Sequence, residues 1–110
     1  MSAATPELDS AAPVFAALGD ETRLGLVARL SAGDRMSITR LTERTGVTRQ
    51  AITRHLEVLE DAGVVRGMRQ GRERLWEIEP KRIELARRSL DEISRWWDKK
   101  LAALKAKVEA

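Results

Sequence analysis

Two glycines, Gly46 and Gly63, each follow a helix-forming stretch that opens on a capping hydroxyl, Ser37 in the first case and Thr48 in the second. A Ser or Thr oxygen accepts from the free amides of a helix start, and Gly takes up the left-handed conformation that ends a helix. The spacing therefore predicts a short helix over 38–45 with Ile38 and Leu41 inward, a turn at Gly46, and a second helix over 49–62. On the second helix Ala51, Ile52, Leu56, Val58, Leu59 and Ala62 face a core. Arg49, Gln50, Thr53, Arg54 and Glu57 are left as an outward stripe. Two helices joined by so short a Gly-containing turn form a helix-turn-helix.

The flanking segments extend the pattern. VVRGMRQGRERLWEIE (64–79) reads as a β-hairpin with a tight turn at Gln70-Gly71, and with Trp76 and Ile78 alternating against Glu77 and Glu79. Upstream, Asp20 caps a helix that turns Leu24, Val27, Ala28 and Leu30 to one side and closes at Gly33; an earlier helix starts at Ser10 and tolerates Pro13 in its first turn. Pro80 breaks the last strand. From Lys81 to Val108 there is no further Gly or Pro, and Ile83, Ala86, Leu90, Ile93, Trp97, Leu101, Leu104 and Val108 recur at spacings of three and four. The expected fold is mainly α with a small β-hairpin: a winged helix-turn-helix of about five helices plus the wing. Residues 1–10 form a flexible tail, 11–80 the DNA-binding domain and 81–110 a long dimerisation helix.

Length sharpens the last point. A chain of 110 residues makes one small domain, and a core of about 70 residues covers only the first half of a helix roughly 42 Å long. A second copy is the economical cover, with Phe15, Leu90, Ile93, Trp97, Leu101 and Leu104 at the interface; the alternative is that these side chains complete an intramolecular core. Zero Cys removes disulfides, thiolate metal sites and thiol nucleophiles, and fits a reducing compartment. The N-terminus has neither a basic residue nor a long apolar run, so export and membrane insertion are not expected and a cytoplasmic location is.

Charge is uneven along the chain. Residues 1–34 carry net −3, residues 35–74 net +4 and residues 75–110 net +2, and every basic residue before Lys81 is Arg. Codon bias alone could supply Arg, so its location decides. Arg grips phosphate or a guanine edge bidentately, and Arg49, Arg54, Gln50, Thr48 and Thr53 lie at the start of the second helix, where a major groove is reached. Arg66, Arg69, Arg72 and Arg74 surround the hairpin turn with Glu73 as counter-charge, suited to a minor groove or its phosphate walls. Ser37, Thr39 and Arg40 would meet the phosphate backbone and position rather than specify. Competing readings are an ordinary solvated helix face and a charged, aggregation-resistant hairpin edge. The partner expected on balance is double-stranded DNA.

Nothing supplies a catalytic constellation, and no cofactor is implied. His55 is the lone histidine and, without Cys, makes no convincing metal site; packing or a polar contact suits it better. The acidic pairs Glu60-Asp61 and Asp91-Glu92 read as exposed helix faces. Phe15, Trp76, Trp96 and Trp97 read as core before pocket.

The blocks ALGDETRLGLVARL (17–30), TRLTERTGVTRQAITRHLEVLEDAGVV (39–65) and RQGRERLWEI (69–78) resemble the ArsR-type winged-helix repressors. The resemblance implies a homodimer built on the first and last helices and repression by occupying a pseudo-palindromic operator. It carries DNA contacts to Arg49, Gln50, Thr53, Arg54 and the wing arginines. Metal-sensing members place a Cys pair where this chain has DRMSITRL (34–41), or His and acidic ligands along the last helix. Here there is no Cys, and no His in either place, so the regulator is expected not to respond to metal. An unidentified small molecule or protein remains the expected effector. The alternatives in other classes are a winged-helix module that docks an acidic protein and a sequence-tolerant architectural DNA binder.

Overall fold

A computed structural model describes residues 6–109, in the order α1 (Pro6–Leu18), α2 (Glu21–Ala32), β1 (Met36–Ser37), α3 (Ile38–Thr42), α4 (Arg49–Asp61), β2 (Val65–Gln70), β3 (Glu73–Ile78) and α5 (Pro80–Glu109). The three strands form an antiparallel sheet in the order β1-β3-β2, so this is the mainly helical, winged architecture expected. Residues 1–5 of the expected tail lie outside the described residues. From Pro6 the chain is helical, so Ser10 sits inside α1 and is not its cap, and Pro13 lies in the helix interior.

α2 begins as its sequence dictates, with the Asp20 carboxylate accepting from the Arg23 amide at 3.0 Å. Its inner face differs from the expected one. Leu26, Val27 and Leu30 are buried, whereas Leu24 is 54% exposed and Ala28 is exposed. The 3.6-residue period admits both stripes, and packing against the sheet and α4 selects the one through Leu26.

α3 is shorter than 38–45. The Thr45 hydroxyl donates to the Thr42 carbonyl at 2.8 Å and accepts from the Val47 amide at 3.1 Å, so a side chain takes over the bonding of the expected last turn. Two residues there have positive φ, Arg44 at 62° and Gly46 at 68°. β1 was not legible in the sequence. Its two residues, paired with Trp76 and Leu75, place β3 in the middle of the sheet. The hairpin turn lies one residue later than expected: Gln70 pairs with Glu73, which leaves Gly71-Arg72 as the two-residue loop, with Gly71 at φ 65°.

The core joins Val14 and Ala17 of α1, Leu26, Val27 and Leu30 of α2, Leu41, the α4 ridge Ile52, Leu56 and Leu59, Val64 and Val65, Trp76, and Ala86 of α5. Each fully buried large side chain contributes about 1.5–3 kcal/mol relative to exposure. Val58 is 38% exposed and is not part of this core. α5 starts on Pro80, whose missing N–H costs nothing at a first helical position, and packs against α1 through Ala86 and Ser89. Beyond Ile93 every described residue of α5 is exposed.

Candidate nucleic-acid interface

α4 is held rigidly by its inner face and its start. Ile52, Leu56 and Leu59 are fully buried, and the Thr48 hydroxyl accepts from the Ala51 amide at 3.1 Å, which fixes where the helix begins. Arg49, Gln50, Arg54 and Glu57 consequently face solvent and Thr53 is half-buried. The Thr53 hydroxyl donates to the Arg49 carbonyl at 3.0 Å. Gln50 and Arg54 have no polar partner among the described residues.

The preceding helix is brought alongside. Arg49 Nη1 donates to Thr39 Oγ1 at 3.2 Å, joining two candidate residues that lie ten positions apart. Ser37 accepts from the Arg40 amide at 3.2 Å, so its oxygen serves as the α3 cap, while the Arg40 side chain is exposed. Arg29, which sequence reasoning passed over, ties α2 to this unit: its guanidinium donates to the carbonyls of Leu41 at 2.8 Å and Arg40 at 3.0 Å. Both carbonyls lie in the last turn of α3, where that of Arg40 also accepts from the Glu43 amide at 3.3 Å. Nothing around Arg29 in the α2 sequence signals that role.

The wing arginines divide into two pairs, which corrects the picture of four guanidinium groups facing only Glu73. Arg66 lies across the sheet from Glu77 and donates to it at 2.8 Å through Nε, and to Glu79 at 3.1 Å. Arg35 holds the other Glu77 oxygen at 2.8 Å. Hydrogen bonding to Arg66 is the main cause that lowers the Glu77 carboxyl pKa and raises that of Arg66; Arg35 lowers Glu77 further, and partial desolvation opposes it. Arg74 donates to Glu60 at 3.0 Å and stacks 4.2 Å over the Trp76 ring. Arg69 and Arg72 are exposed and carry no polar partner among the described residues.

His55 lies on the inward flank of α4, with Nδ1 3.3 Å from Arg23 Nη1 and 3.9 Å from Asp20 Oδ2, a polar contact between α4 and the start of α2. The Asp20 carboxyl pKa is lowered, chiefly by the Arg23 amide, with the Arg23 and His55 charges assisting and desolvation opposing. Among the described residues no three His, Cys, Asp or Glu side chains converge as a metal site, and no helix is long and apolar enough to cross a membrane. An open cleft of about 730 Å³ between the end of α2 and β3 is lined by Leu30, Asp34, Arg35, Leu75 and Glu77 and by none of the four large aromatics. Trp76 is core at 1% exposure; Trp96 and Trp97 stand on the outer half of α5.

Of the residues expected at a subunit contact, Phe15 packs partly buried on the core and Ile93 is half-buried. Leu90, Trp97, Leu101 and Leu104 are each more than half exposed in the single chain.

Comparison with known proteins agrees with this geometry. A helix-turn-helix domain family model matches residues 18–67. The HTH-type transcriptional regulator Rv2034 of Mycobacterium tuberculosis is 33% identical over 85 residues, covering 77% of this chain and 76% of that protein. The uncharacterised HTH-type transcriptional regulator YuzN of Bacillus subtilis is 43% identical over 68 residues, 56% of this chain and 74% of that one. An ArsR-like transcriptional regulator from Rhodococcus sp. RHA1 superposes with a TM-score of 0.71 at 37% identity, over 88% of this chain and 91% of that chain. The transcriptional repressor BigR from Xylella fastidiosa superposes at 0.59 with 26% identity, over 69% and 78% of the respective chains. With a capped recognition helix, a basic wing and relatives of this kind over most of its length, the chain belongs to the ArsR-type winged helix-turn-helix transcriptional regulators.

Proposed function

We propose that this regulator is a homodimeric, metal-independent repressor that occupies an inverted-repeat operator in duplex DNA and acts in the cytoplasm. The observation that carries the reading is the division of α4: one face is locked into the core through Ile52, Leu56 and Leu59, while Arg49, Gln50 and Arg54 project from its first two turns with donors to spare. Side chains at a helix start reach the floor of a major groove, where Arg forks onto guanine and Gln pairs with adenine. Arg69 and Arg72 extend the contact to an adjacent groove or its phosphates, and Thr39 and Arg40 to the backbone.

The dimer rests on the apolar side of α5. Leu90, Trp97, Leu101 and Leu104 are too large and too regularly spaced to remain in water as a solvated face. A two-fold pairing through them sets two α4 helices on half-sites about 34–36 Å apart. The repressor role is in keeping with the name of BigR, and a small molecule or partner protein would relieve it.

The test is footprinting and titration on the DNA immediately upstream of the reading frame. The expected result is protection of an inverted repeat, with on the order of 10³-fold or greater preference over a scrambled duplex. Equal affinity for both duplexes would leave a sequence-tolerant architectural binder in its place, and no affinity for either a protein-docking module.

A further inference from the structure

Glu60 was expected on an exposed helix face, yet both of its oxygens are used, one on each strand of the wing. Oε2 accepts from the Gly67 amide of β2 at 3.0 Å, and Oε1 accepts from Arg74 Nη2 of β3 at 3.0 Å. β2 is an edge strand, so its outward amides have no sheet partner, and a carboxylate from the last turns of α4 supplies one. Arg74 is held on its other side by the ring of Trp76, itself the buried centre of β3. The guanidinium lies against residue 67, where a Cβ would stand 2.6 Å from Arg74 Nε and oblige it to shift. Carboxylate, indole and glycine thus converge on one arginine and turn it toward the protein.

We propose that Glu60 is a positioning residue that fixes the wing relative to the recognition helix through Arg74 and the Gly67 amide, which leaves Arg69 and Arg72 as the wing's DNA-facing charges. The proposal rests on the DNA-binding reading above. A two-stranded hairpin is marginal by itself, and a protein that reads two grooves at once needs its two elements at a fixed angle. Charge-assisted hydrogen bonds from one helix to both strands provide that constraint.

The sign of one substitution separates positioning from bulk electrostatics. Removing an acid from a surface that meets a polyanion strengthens binding if only charge matters. Under positioning, Glu60→Gln weakens operator binding by about tenfold, leaves or raises affinity for scrambled duplex, and Glu60→Ala, which also abandons the Gly67 amide, goes further. Gly67→Ala displaces Arg74 without changing charge and reproduces the loss. Arg74→Ala lowers operator affinity with the log–log salt slope unchanged, whereas Arg72→Ala reduces that slope by about 0.9 per phosphate given up. In the free protein, amide hydrogen exchange at Gly67 and across β2 accelerates in Glu60→Ala while α2 keeps its protection. Operator binding by Glu60→Gln as tight as or tighter than wild type, or a slope change in Arg74→Ala like that of Arg72→Ala, overturns the proposal. So does unchanged wing exchange in Glu60→Ala. A wild-type protein that binds no duplex overturns the underlying DNA reading, and accelerated wing exchange in Glu60→Ala would then show that Glu60 still holds the wing and that the DNA reading is the part that failed.

Discussion

Arg49, the first residue of α4, donates to the Thr39 hydroxyl at 3.2 Å, so the two helices of the helix-turn-helix are joined on their solvent side as well as through the core. One donor of five is used in this way, and the rest of the guanidinium has no polar partner among the described residues. The bond orients a flexible side chain, and pre-ordering of this kind would lower the entropy cost of the DNA contact proposed for Arg49.

Arg49→Ala is therefore expected to cost about 1–3 kcal/mol of operator binding if Arg49 reads a base, with the loss confined to operators that carry that base pair. Thr39→Ala, which removes the hydroxyl that orients Arg49 and that is proposed to meet the DNA backbone, should cost less, about 1 kcal/mol, and equally on every operator. Titration of both variants against an operator panel with single substitutions distinguishes these outcomes; an equal loss on all sequences would assign Arg49 to phosphate.

The two classes of wing arginine are expected to differ in their salt response. If each protomer neutralises about three to five phosphates, wild-type affinity falls on the order of 10³ to 10⁵-fold between 50 and 200 mM salt. Arg69→Ala should lower the log–log slope by about 0.9 for the phosphate it releases, and Arg66→Ala, whose guanidinium is engaged by Glu77 and Glu79, should leave it unchanged. Fluorescence anisotropy over a salt series measures both.

Leu101 and Trp97 lie on the part of α5 where every described residue is exposed, with Lys100 Nζ 5.5 Å over the Trp97 ring. Leu101→Glu or Trp97→Glu should raise the dimer dissociation constant at least tenfold, about 1.4 kcal/mol, and shift the sedimenting species toward monomer. Far-ultraviolet dichroism should change little, because neither side chain belongs to the domain core. A wild-type protein that sediments as a monomer would remove the seam argument.

Glu77 is expected to contribute an acid-sensitive part of the stability. Its folded carboxyl pKa lies below the ordinary glutamate value, with Arg66 as the principal cause and Arg35 assisting. A depressed carboxyl pKa contributes stability that is fully present above the unfolded-state pKa and is lost as pH falls through the folded one. Denaturant midpoints followed downward from neutrality should therefore drop in the acid range, and Glu77→Gln should be less stable than wild type near neutrality and show a shallower acid dependence. A parallel pair of curves would mean that the Arg66 and Arg35 contacts do not persist in solution.

Much of the architecture was legible from local chemistry. Asp20, Ser37 and Thr48 each accept from the third residue of the helix they open, as their side chains and positions required, because a cap is decided within one turn of chain. Ile52, Leu56 and Leu59 were readable for a related reason: a ridge at spacings of three and four has one inward side whatever it packs against. The choice of Leu26 over Leu24 was not, since α2 offers two apolar stripes and only its neighbours select between them. β1 lay below any periodic signal at two residues.

Within the candidate interface, the sequence alone determined which residue types stand at the start of α4 and along the wing, because alternation and capping operate over a few residues. It could not assign their partners. That Arg66 is bound by Glu77 and Glu79, that Arg74 is turned to Glu60, and that Arg29 closes the end of α3 depended on strand register and helix placement, which bring together groups 11 to 14 positions apart. A guanidinium reads the same in sequence whether it is free or paired; only the tertiary structure, by setting a carboxylate within 3 Å of some and not others, separated the arginines paired within the wing from those with no carboxylate partner among the described residues.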